Sequence, residues 1–221
     1  MRHDAQERRT MSYVTESWEM AAQTVIKKFE KRGISACYCA TKEEAKETIL
    51  NMIPKGSKVA NGGTESMVEA GIMEAVQGPD YHYIDRNAGK TPQEAREIYA
   101  QIVLSDYYLM STNAFTRDGE LVNIDGAANR VACLAFGPSH VIVLASMNKM
   151  CDSVESALHR VRTMAAPPNA IRVNAQTPCT KTGVCADCMP PASICCQTLI
   201  TRGSRTPGRI TVVLVGEPLG F

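Results

Sequence analysis

The sequence predicts an α/β fold with an open, mostly parallel sheet flanked by helices. Segments with helical spacing of apolar residues alternate with short apolar segments of strand length. The segment "RITVVLV" near the C-terminus is rich in β-branched residues, as is typical of a central parallel strand. With 221 residues the chain can bury one full core. We therefore expect a flexible N-terminus of residues 1–14 and a single domain over residues 15–221.

Helix and strand begin to alternate early in the chain. Apolar residues over positions 18–29 recur at helical spacing, and Gly33 follows where that helix would end. The next segment, "ISACYCA", has the length and composition of a buried strand. Thr41 and Glu44 then have the spacing of a capping box, which predicts a second helix.

The alternation continues through the middle of the chain. "SKVANGG" is typical of a short strand that runs into a glycine turn, "ESMVEAGIMEAV" predicts a helix, and "YHYID" predicts another strand. Thr91 and Pro92 supply the N-cap and the first position of a further helix. Ligands of parallel sheets usually bind in the loops that follow the strands, so these loops are the candidate sites.

The sequence pattern of the second half of the chain predicts mainly strands. Three more are expected, the second of them after a turn: "DYYLMSTNAF", "TRDGELVNIDG" and "SHVIVLASM". Asp152 or Ser153 can cap the helix that follows, and "APP" is expected to end that helix.

Composition excludes several classes of partner. Lys and Arg total 24 against 23 Asp and Glu, and no basic block stands out, so we expect no nucleic-acid partner. The polar N-terminus lacks the apolar core of a secretory signal, and no apolar run reaches the length of a membrane span. We therefore expect a cytoplasmic protein that does not insert into a membrane.

Five of the nine cysteines lie in the segment of residues 177–197, where disulfides, a metal site and core packing are the competing interpretations. A reducing compartment disfavours disulfides, and the Pro, Gly, Thr, Lys and Asp between the cysteines are typical of a loop. We expect a metal site whose ligands are Cys179, Cys185, Cys188 and one of Cys195 or Cys196. The single C-x2-C pair favours an iron–sulfur cluster, such as 4Fe-4S, and zinc is the alternative.

The loop "ANGGTES" is the first candidate for ligand binding. Its glycines allow close backbone approach, and its hydroxyls and the N–H groups of the next helix could hold a phosphate or a carboxylate. The loop lacks the lysine of a Walker A motif, and a tight strand-to-helix turn is the alternative. The candidate ligand-binding residues here are Asn61, Gly62, Gly63, Thr64 and Ser66.

The segment of residues 111–130 is the second candidate. Carboxylates and an arginine concentrated in loops of an α/β sheet could serve as acid, base, nucleophile or substrate clamp, although Asp-Gly pairs are also routine in turns. Glu120 and Asp125 are the candidate catalytic residues. The candidate ligand-binding residues are Thr112, Asn113, Gly126, Asn129 and Arg130. His82 and His140 adjoin apolar strands, where structural roles are expected.

Four motifs together resemble the LUD domain family, which is known from lactate utilization proteins. They are "NGGTES", "STNAFTRDGELVNIDGAANRVACLAFGPSHVIVLAS", "TPC…TGVCADC…ICC" and "RITVVLVGEPLGF", and the likeness spans residues 15–221. It is greatest to stand-alone bacterial members with a C-terminal cysteine motif. The resemblance implies the fold of the NagB/RpiA/CoA transferase-like superfamily, with both candidate loops facing one pocket. The coenzyme A transferases of that superfamily use a glutamate nucleophile, and Glu120 lies in a comparable region.

Two functions from different classes are compatible with these features. The first is an enzyme or enzyme subunit that acts on a small anionic metabolite, such as a hydroxy acid, a sugar phosphate or an acyl thioester. The alternative is a noncatalytic ligand-binding or assembly subunit with a structural metal site. The sequence leaves open a homo-oligomer or redox partner subunits.

Overall fold

The computed structural model describes residues 13–221, and a parallel sheet of six strands dominates it. The strands in chain order are β1 (Ser35–Cys39), β2 (Lys58–Asn61), β3 (His82–Tyr83), β4 (Tyr107–Ser111), β5 (Ala114–Thr116), β6 (Leu121–Asp125), β7 (His140–Ser146), β8 (Met150–Cys151), β9 (Gln197–Thr201) and β10 (Ile210–Val215). The large sheet has the order β1-β10-β7-β4-β2-β3, and every pair in it is parallel. The predicted fold class is confirmed, with "RITVVLV" in a central strand.

Helices cover both faces of this sheet. They are α1 (Tyr13–Lys31), α2 (Lys42–Met52), α3 (Glu65–Glu69), α4 (Ile72–Val76), α5 (Pro92–Val103), α6 (Asn129–Ala135), α7 (Val154–Arg160), α8 (Ala166–Arg172) and α9 (Cys179–Thr182). Of the N-terminus expected to be flexible, residues 1–12 lie outside the described residues, and residues 13–14 belong to α1. Within residues 13–221, no helix combines the length and the apolar character needed to cross a membrane.

Alternate residues of the central strands fill two cores, one on each face of the sheet. In β7, Val143 packs in the core that contains Phe29 of α1, and the next residue, Leu144, packs in the core that contains Ile49 of α2. This alternation follows from the period of two in a strand. All four side chains are fully buried, which is why the sequence signal for these elements is strong.

A second sheet of four strands was not predicted. Its order is β8-β5-β6-β9, and it packs on α7 through a small apolar cluster around Ala157. The predicted strand "DYYLMSTNAF" is in fact two strands, because the chain leaves the parallel sheet after β4 and enters the second sheet as β5. The hairpin of β5 and β6 is antiparallel, with Gly119 at φ +82 in its turn.

Two predicted helices differ from the observed ones. "ESMVEAGIMEAV" forms α3 and α4 separately, since Gly71 between them has a φ of +66. "APP" was expected to end the helix that Ser153 caps, and this expectation is wrong. A π-helical turn, Val161–Ala165, follows α7, and both prolines lie at the start of α8, where a proline loses no helical hydrogen bond.

Candidate functional site

A polar cavity of about 240 Å³ lies at the carboxyl edge of the parallel sheet. Chain segments that follow four neighbouring strands contribute to its wall. Gly63 follows β2, Thr112 follows β4, Lys149 follows β7, and Gly220 follows β10. Parallel strands place these segments together because all of their carboxyl ends meet at one edge.

The structure brings most of the predicted ligand-binding residues to this cavity. Those in its wall are Gly63, Thr64, Ser66, Thr112, Asn113, Gly126, Asn129 and Arg130, together with the candidate catalytic residue Asp125. Asn61 instead lines a neighbouring cavity. Gly62 lies behind the wall, where a Cβ atom would come within 2.9 Å of both the Arg130 Cγ and the Tyr108 hydroxyl. The two candidate loops therefore adjoin one space.

Asp125 and Arg130 form a buried ion pair that organises the second loop. The Asp125 carboxylate contacts Arg130 Nη2 at 2.6 Å and also accepts hydrogen bonds from the backbone N–H groups of Arg130 and Val131 at the start of α6. The guanidinium donates further to the side-chain oxygens of Asn113 and Asn123 and to the carbonyl of Ser111. With these groups committed to each other, the pair shapes the wall of the cavity and is not free to clamp a ligand.

Glu120 lies outside the wall of the polar cavity. Its carboxylate accepts a hydrogen bond from the Thr116 hydroxyl at 3.1 Å and pairs with Arg32 of α1 at 3.3 Å. Arg32 also donates to the carbonyl of Asp118 in the adjoining turn. The structure therefore gives Glu120 a role in fixing the β5–β6 hairpin to α1 and does not bring it to Asp125.

Lys149 is a buried residue of the cavity that the sequence interpretation missed. Its side chain is 3% exposed, and its Nζ donates to the hydroxyls of Ser66 and Ser111 at 3.0 Å each. Burial, reinforced by the nearby charge of Arg160, lowers the pKa of Lys149 to about 7. The available signal was its position in the short turn that follows the largely apolar strand β7, at the sheet edge where ligands bind.

Two more arginines in the wall were also missed, and both approach Gly63. A Cβ atom at Gly63 would lie 3.3 Å from Arg86 Nη2 and 3.4 Å from Arg172 Nη2, so the missing side chain leaves room for both guanidinium groups. Arg172 pairs with Glu65 at 3.2 Å. Within residues 13–221, Arg86 has neither a hydrogen bond nor an ion pair.

The charges in the wall favour an anionic ligand. Its cationic side chains are those of Arg86, Arg130, Lys149 and Arg172, and its carboxylates are those of Glu65 and Asp125. Each carboxylate is paired with an arginine. Among the described residues Arg86 and Lys149 form no ion pair, and the charge of Glu69 only partly opposes the lowering of the Lys149 pKa. A bound carboxylate or phosphate would supply both cations with a partner.

The cysteine-rich segment runs beside the cavity. Ile194 lies in the cavity wall, and the N–H of Cys196 donates to the Asp125 carbonyl at 2.8 Å. Arg162 of the π-helical turn pairs with Asp187 in the segment at 3.1 Å. The segment is thus attached to the same loop that carries the buried Asp125–Arg130 pair.

The five thiols of the segment share one region but do not form a closed ligand set. Although Cys195 is an exposed residue, partial burial of its sulfur and the charges of Cys185, Cys188, Cys179 and Cys196 raise the pKa of its thiol to about 11. In the part of the chain that the structure describes, no three Cys, His, Asp or Glu side chains converge closely enough to hold a metal ion. The donors suit a thiolate-bound metal in chemistry, and their arrangement would have to tighten around it.

Comparison with known proteins shows the family to which this chain belongs. The model of the LUD domain matches residues 22–215, which is most of the chain. The chain belongs to the LUD domain family. The resemblance drawn from its motifs is thereby confirmed.

A solved structure supports the fold of this LUD-domain protein. A DUF162 family protein from Deinococcus radiodurans aligns with a TM-score of 0.55 at 11% identity, over 90% of this chain and 98% of that one. At that identity the likeness shows the fold alone. The δ subunit of eIF2B from Chaetomium thermophilum aligns with a TM-score of 0.36 at 15% identity, over 53% of this chain and 50% of that one. None of the curated proteins compared with the sequence matches it.

Proposed function

We propose that this LUD-domain protein is an enzyme or enzyme subunit that binds a small anionic metabolite in the polar cavity and transfers a proton with Lys149. One observation carries the proposal: a buried lysine stands in the wall of a cationic cavity and forms no ion pair among the described residues. A buried amine without a carboxylate partner lowers the stability of the fold, so its presence at a ligand-sized cavity favours a functional role.

Binding would begin with the anionic group of the metabolite. Arg86 and Arg172 approach Gly63 from the same side and can both reach a carboxylate or a phosphate placed there. The ammonium form of Lys149 has three N–H groups, and the hydroxyls of Ser66 and Ser111 accept two of them. The third position on the nitrogen is left for the ligand, as an N–H of the ammonium form or as the lone pair of the neutral amine.

Proton transfer is the chemistry that a lysine with a pKa of about 7 performs well. The neutral amine would accept a proton from a C–H bond next to a carbonyl or carboxyl carbon of the metabolite. The electron pair of that bond would move toward the carbonyl oxygen, and the ammonium would then return the proton. Hydroxy acids, sugar phosphates and acyl thioesters, the substrate classes expected from the sequence, all carry such a C–H bond.

For the cysteine-rich segment we propose an iron–sulfur cluster held by Cys179, Cys185, Cys188 and one of Cys195 or Cys196, with zinc as the alternative. The shared region of these thiols supports the proposal. When bound, such a cluster would supply electron-transfer or Lewis-acid chemistry beside the cavity. The proton transfer assigned to Lys149 does not depend on it.

Solvent deuterium exchange tests the proton transfer without knowledge of the full reaction. The protein is incubated in D₂O with lactate, glycerate, ribose 5-phosphate and acetyl coenzyme A, and proton NMR measures loss of the C–H signals. We expect exchange in at least one compound, reduced about 100-fold or more by Lys149→Met. Lys55→Met is the matched control, because Lys55 is exposed and pairs with Asp80 before β2, away from the cavity. Exchange in none of the compounds, or unchanged exchange in Lys149→Met, would contradict the proposed chemistry.

A further inference from the structure

A second cavity lies directly beside the polar one. Its volume is about 610 Å³, and helix α5 supplies much of its wall. The wall includes the side chains of Ile98, Tyr99 and Ile102 from α5, and Tyr108 from β4. Arg86, Arg96 and three asparagines also line it, but apolar and aromatic residues form more of its wall than in the polar cavity, so we name it the apolar cavity.

The two cavities share Arg86 and Asn129 in their walls. The shared Arg86 is the guanidinium that has no hydrogen bond or ion pair within residues 13–221. An anionic group bound to Arg86 would therefore stand at the junction, with the polar cavity on one side and the apolar cavity on the other. A molecule extending in both directions could fill both spaces.

The sizes of the cavities favour a ligand that spans them. Binding sites for small molecules commonly enclose about 300–1,000 Å³ and are mostly apolar, with a few placed polar groups. The polar cavity alone, at about 240 Å³, lies below this range and is strongly charged. The apolar cavity, at about 610 Å³, lies within this range, and the two cavities together combine an apolar body with convergent polar groups.

The wall of the apolar cavity is preformed. The Tyr99 hydroxyl donates to the Asn129 carbonyl at 2.9 Å, which ties α5 to the second candidate loop. The Asn61 side chain accepts from the Tyr83 hydroxyl at 2.7 Å and donates to the carbonyl of Gly62. Since protein hydrogen bonds already hold these side chains in place, binding of a ligand would cost little conformational entropy in the wall.

We propose that the two cavities form one binding site for a metabolite with an anionic head and an apolar, preferably aromatic, arm. The head binds Arg86 and Arg172 beside Lys149, and the arm lies against Tyr99 and the apolar side chains of α5. The inference rests on the proposed function and narrows its substrate class. A flat arm suits this wall because the Tyr99 ring and the short side chains of Ala95 and Ala100 leave an extended apolar surface.

The test compares monoanions that differ only in the arm: methanesulfonate, benzenesulfonate and 2-naphthalenesulfonate, titrated at pH 6 and followed by NMR or calorimetry. Their charge is the same, so any gain in affinity reports the arm. We expect 2-naphthalenesulfonate to bind at least tenfold more tightly than methanesulfonate. In Ala100→Trp, which fills the apolar cavity, this gain is expected to disappear while the affinity for methanesulfonate is kept.

Gln101→Trp is the matched control, because Gln101 is the next residue of α5, is also exposed, and lines a different cavity. This variant should keep the full gain. A gain below twofold in the unmodified protein, or one that survives in Ala100→Trp, would overturn the two-cavity inference while leaving the proposed function intact. Failure of every sulfonate to bind would overturn both.

Discussion

The charged residues at the carboxyl edge of the sheet fall into two groups: those that pair with each other and those that have no ion pair. Asp125 and Arg130 form an ion pair with each other, and Asp125 also accepts hydrogen bonds from nearby backbone N–H groups. This arrangement is typical of a structural role. Among residues 13–221, the Lys149 Nζ has two serine hydroxyls as its only hydrogen-bond partners, and the residue is nearly inaccessible to solvent. Arg86 is unpartnered among residues 13–221. Lys149 and Arg86 are assigned to the ligand for this reason, together with Arg172, which approaches Gly63 beside Arg86 although it already pairs with Glu65.

Lys149→Met is predicted to stabilise the fold. The pKa of Lys149 is lowered to about 7 from a usual value of 10.5, so between these pH values the unfolded chain holds a proton that the folded protein lacks. Stability from this group therefore rises with pH in that window, and its full cost is present below pH 7. Replacing the lysine should add about 1–3 kcal/mol at pH 6, with a smaller gain at pH 9.

Urea unfolding of the two proteins at pH 6 and pH 9 measures this difference. Lys55→Met should remain within about 0.5 kcal/mol of the unmodified protein, since its ion pair is exposed. Equal loss of stability at both pH values in Lys149→Met would show that the lysine supports the fold and would contradict the assignment.

Sequence patterns located the cavity loops but not all the residues that matter in them. Gly63 and Thr64 were predicted because glycine and hydroxyl residues after a strand have a direct physical reading. Lys149 was missed because lysine is rarely buried, so nothing in the sequence pattern marked it as part of the site. Glu120 was chosen for its loop, whereas its pairing with Arg32 depends on contacts between elements distant in sequence.

At the scale of elements, the parallel sheet was predictable and the second sheet was not. β7 and β10 are long and almost completely buried, so their apolar runs are unmistakable. β8 has only two residues, and β9 is largely exposed, so neither has a distinctive pattern. Helix α6 was also missed, because Ala128 at its start has a φ of +63 and the Asp125 carboxylate caps it from outside the usual N-cap position.

The cysteine-rich segment is predicted to bind an iron–sulfur cluster. Protein purified without oxygen is expected to be brown and to contain iron and acid-labile sulfide, and Cys185→Ser and Cys188→Ser should each lose both. Thiolate ligands on a C-x2-C pair act together, so either serine removes one attachment point of the cluster.

Cys151→Ser is the control, because Cys151 lies in β8 and outside the segment. Stoichiometric zinc in colourless protein would favour the alternative metal. Protein with neither metal nor sulfide, prepared from cells supplied with iron and zinc, would contradict the proposed site.

The overall topology explains why the charged residues of the polar cavity lie together at one edge of the parallel sheet. The parallel sheet directs the segments after β2, β4, β7 and β10 to one edge, and the second sheet holds the loop that carries Asp125 against that edge. The cysteine-rich segment crosses to the same loop through Cys196. Residues far apart in sequence thus build one cationic cavity, which we propose binds an anion.

The pH dependence of sulfate binding tests anion binding in this cavity, because the charge of sulfate does not change between pH 6 and pH 9. Titrations at constant ionic strength, with chloride as the competing anion, should show binding at pH 6 that weakens at least tenfold by pH 9. The reason is that Lys149, with a pKa of about 7 in the free protein, must hold its proton to bind the anion. Lys149→Met should bind weakly at both pH values. Sulfate binding that is independent of pH, or unaffected by Lys149→Met, would contradict the account.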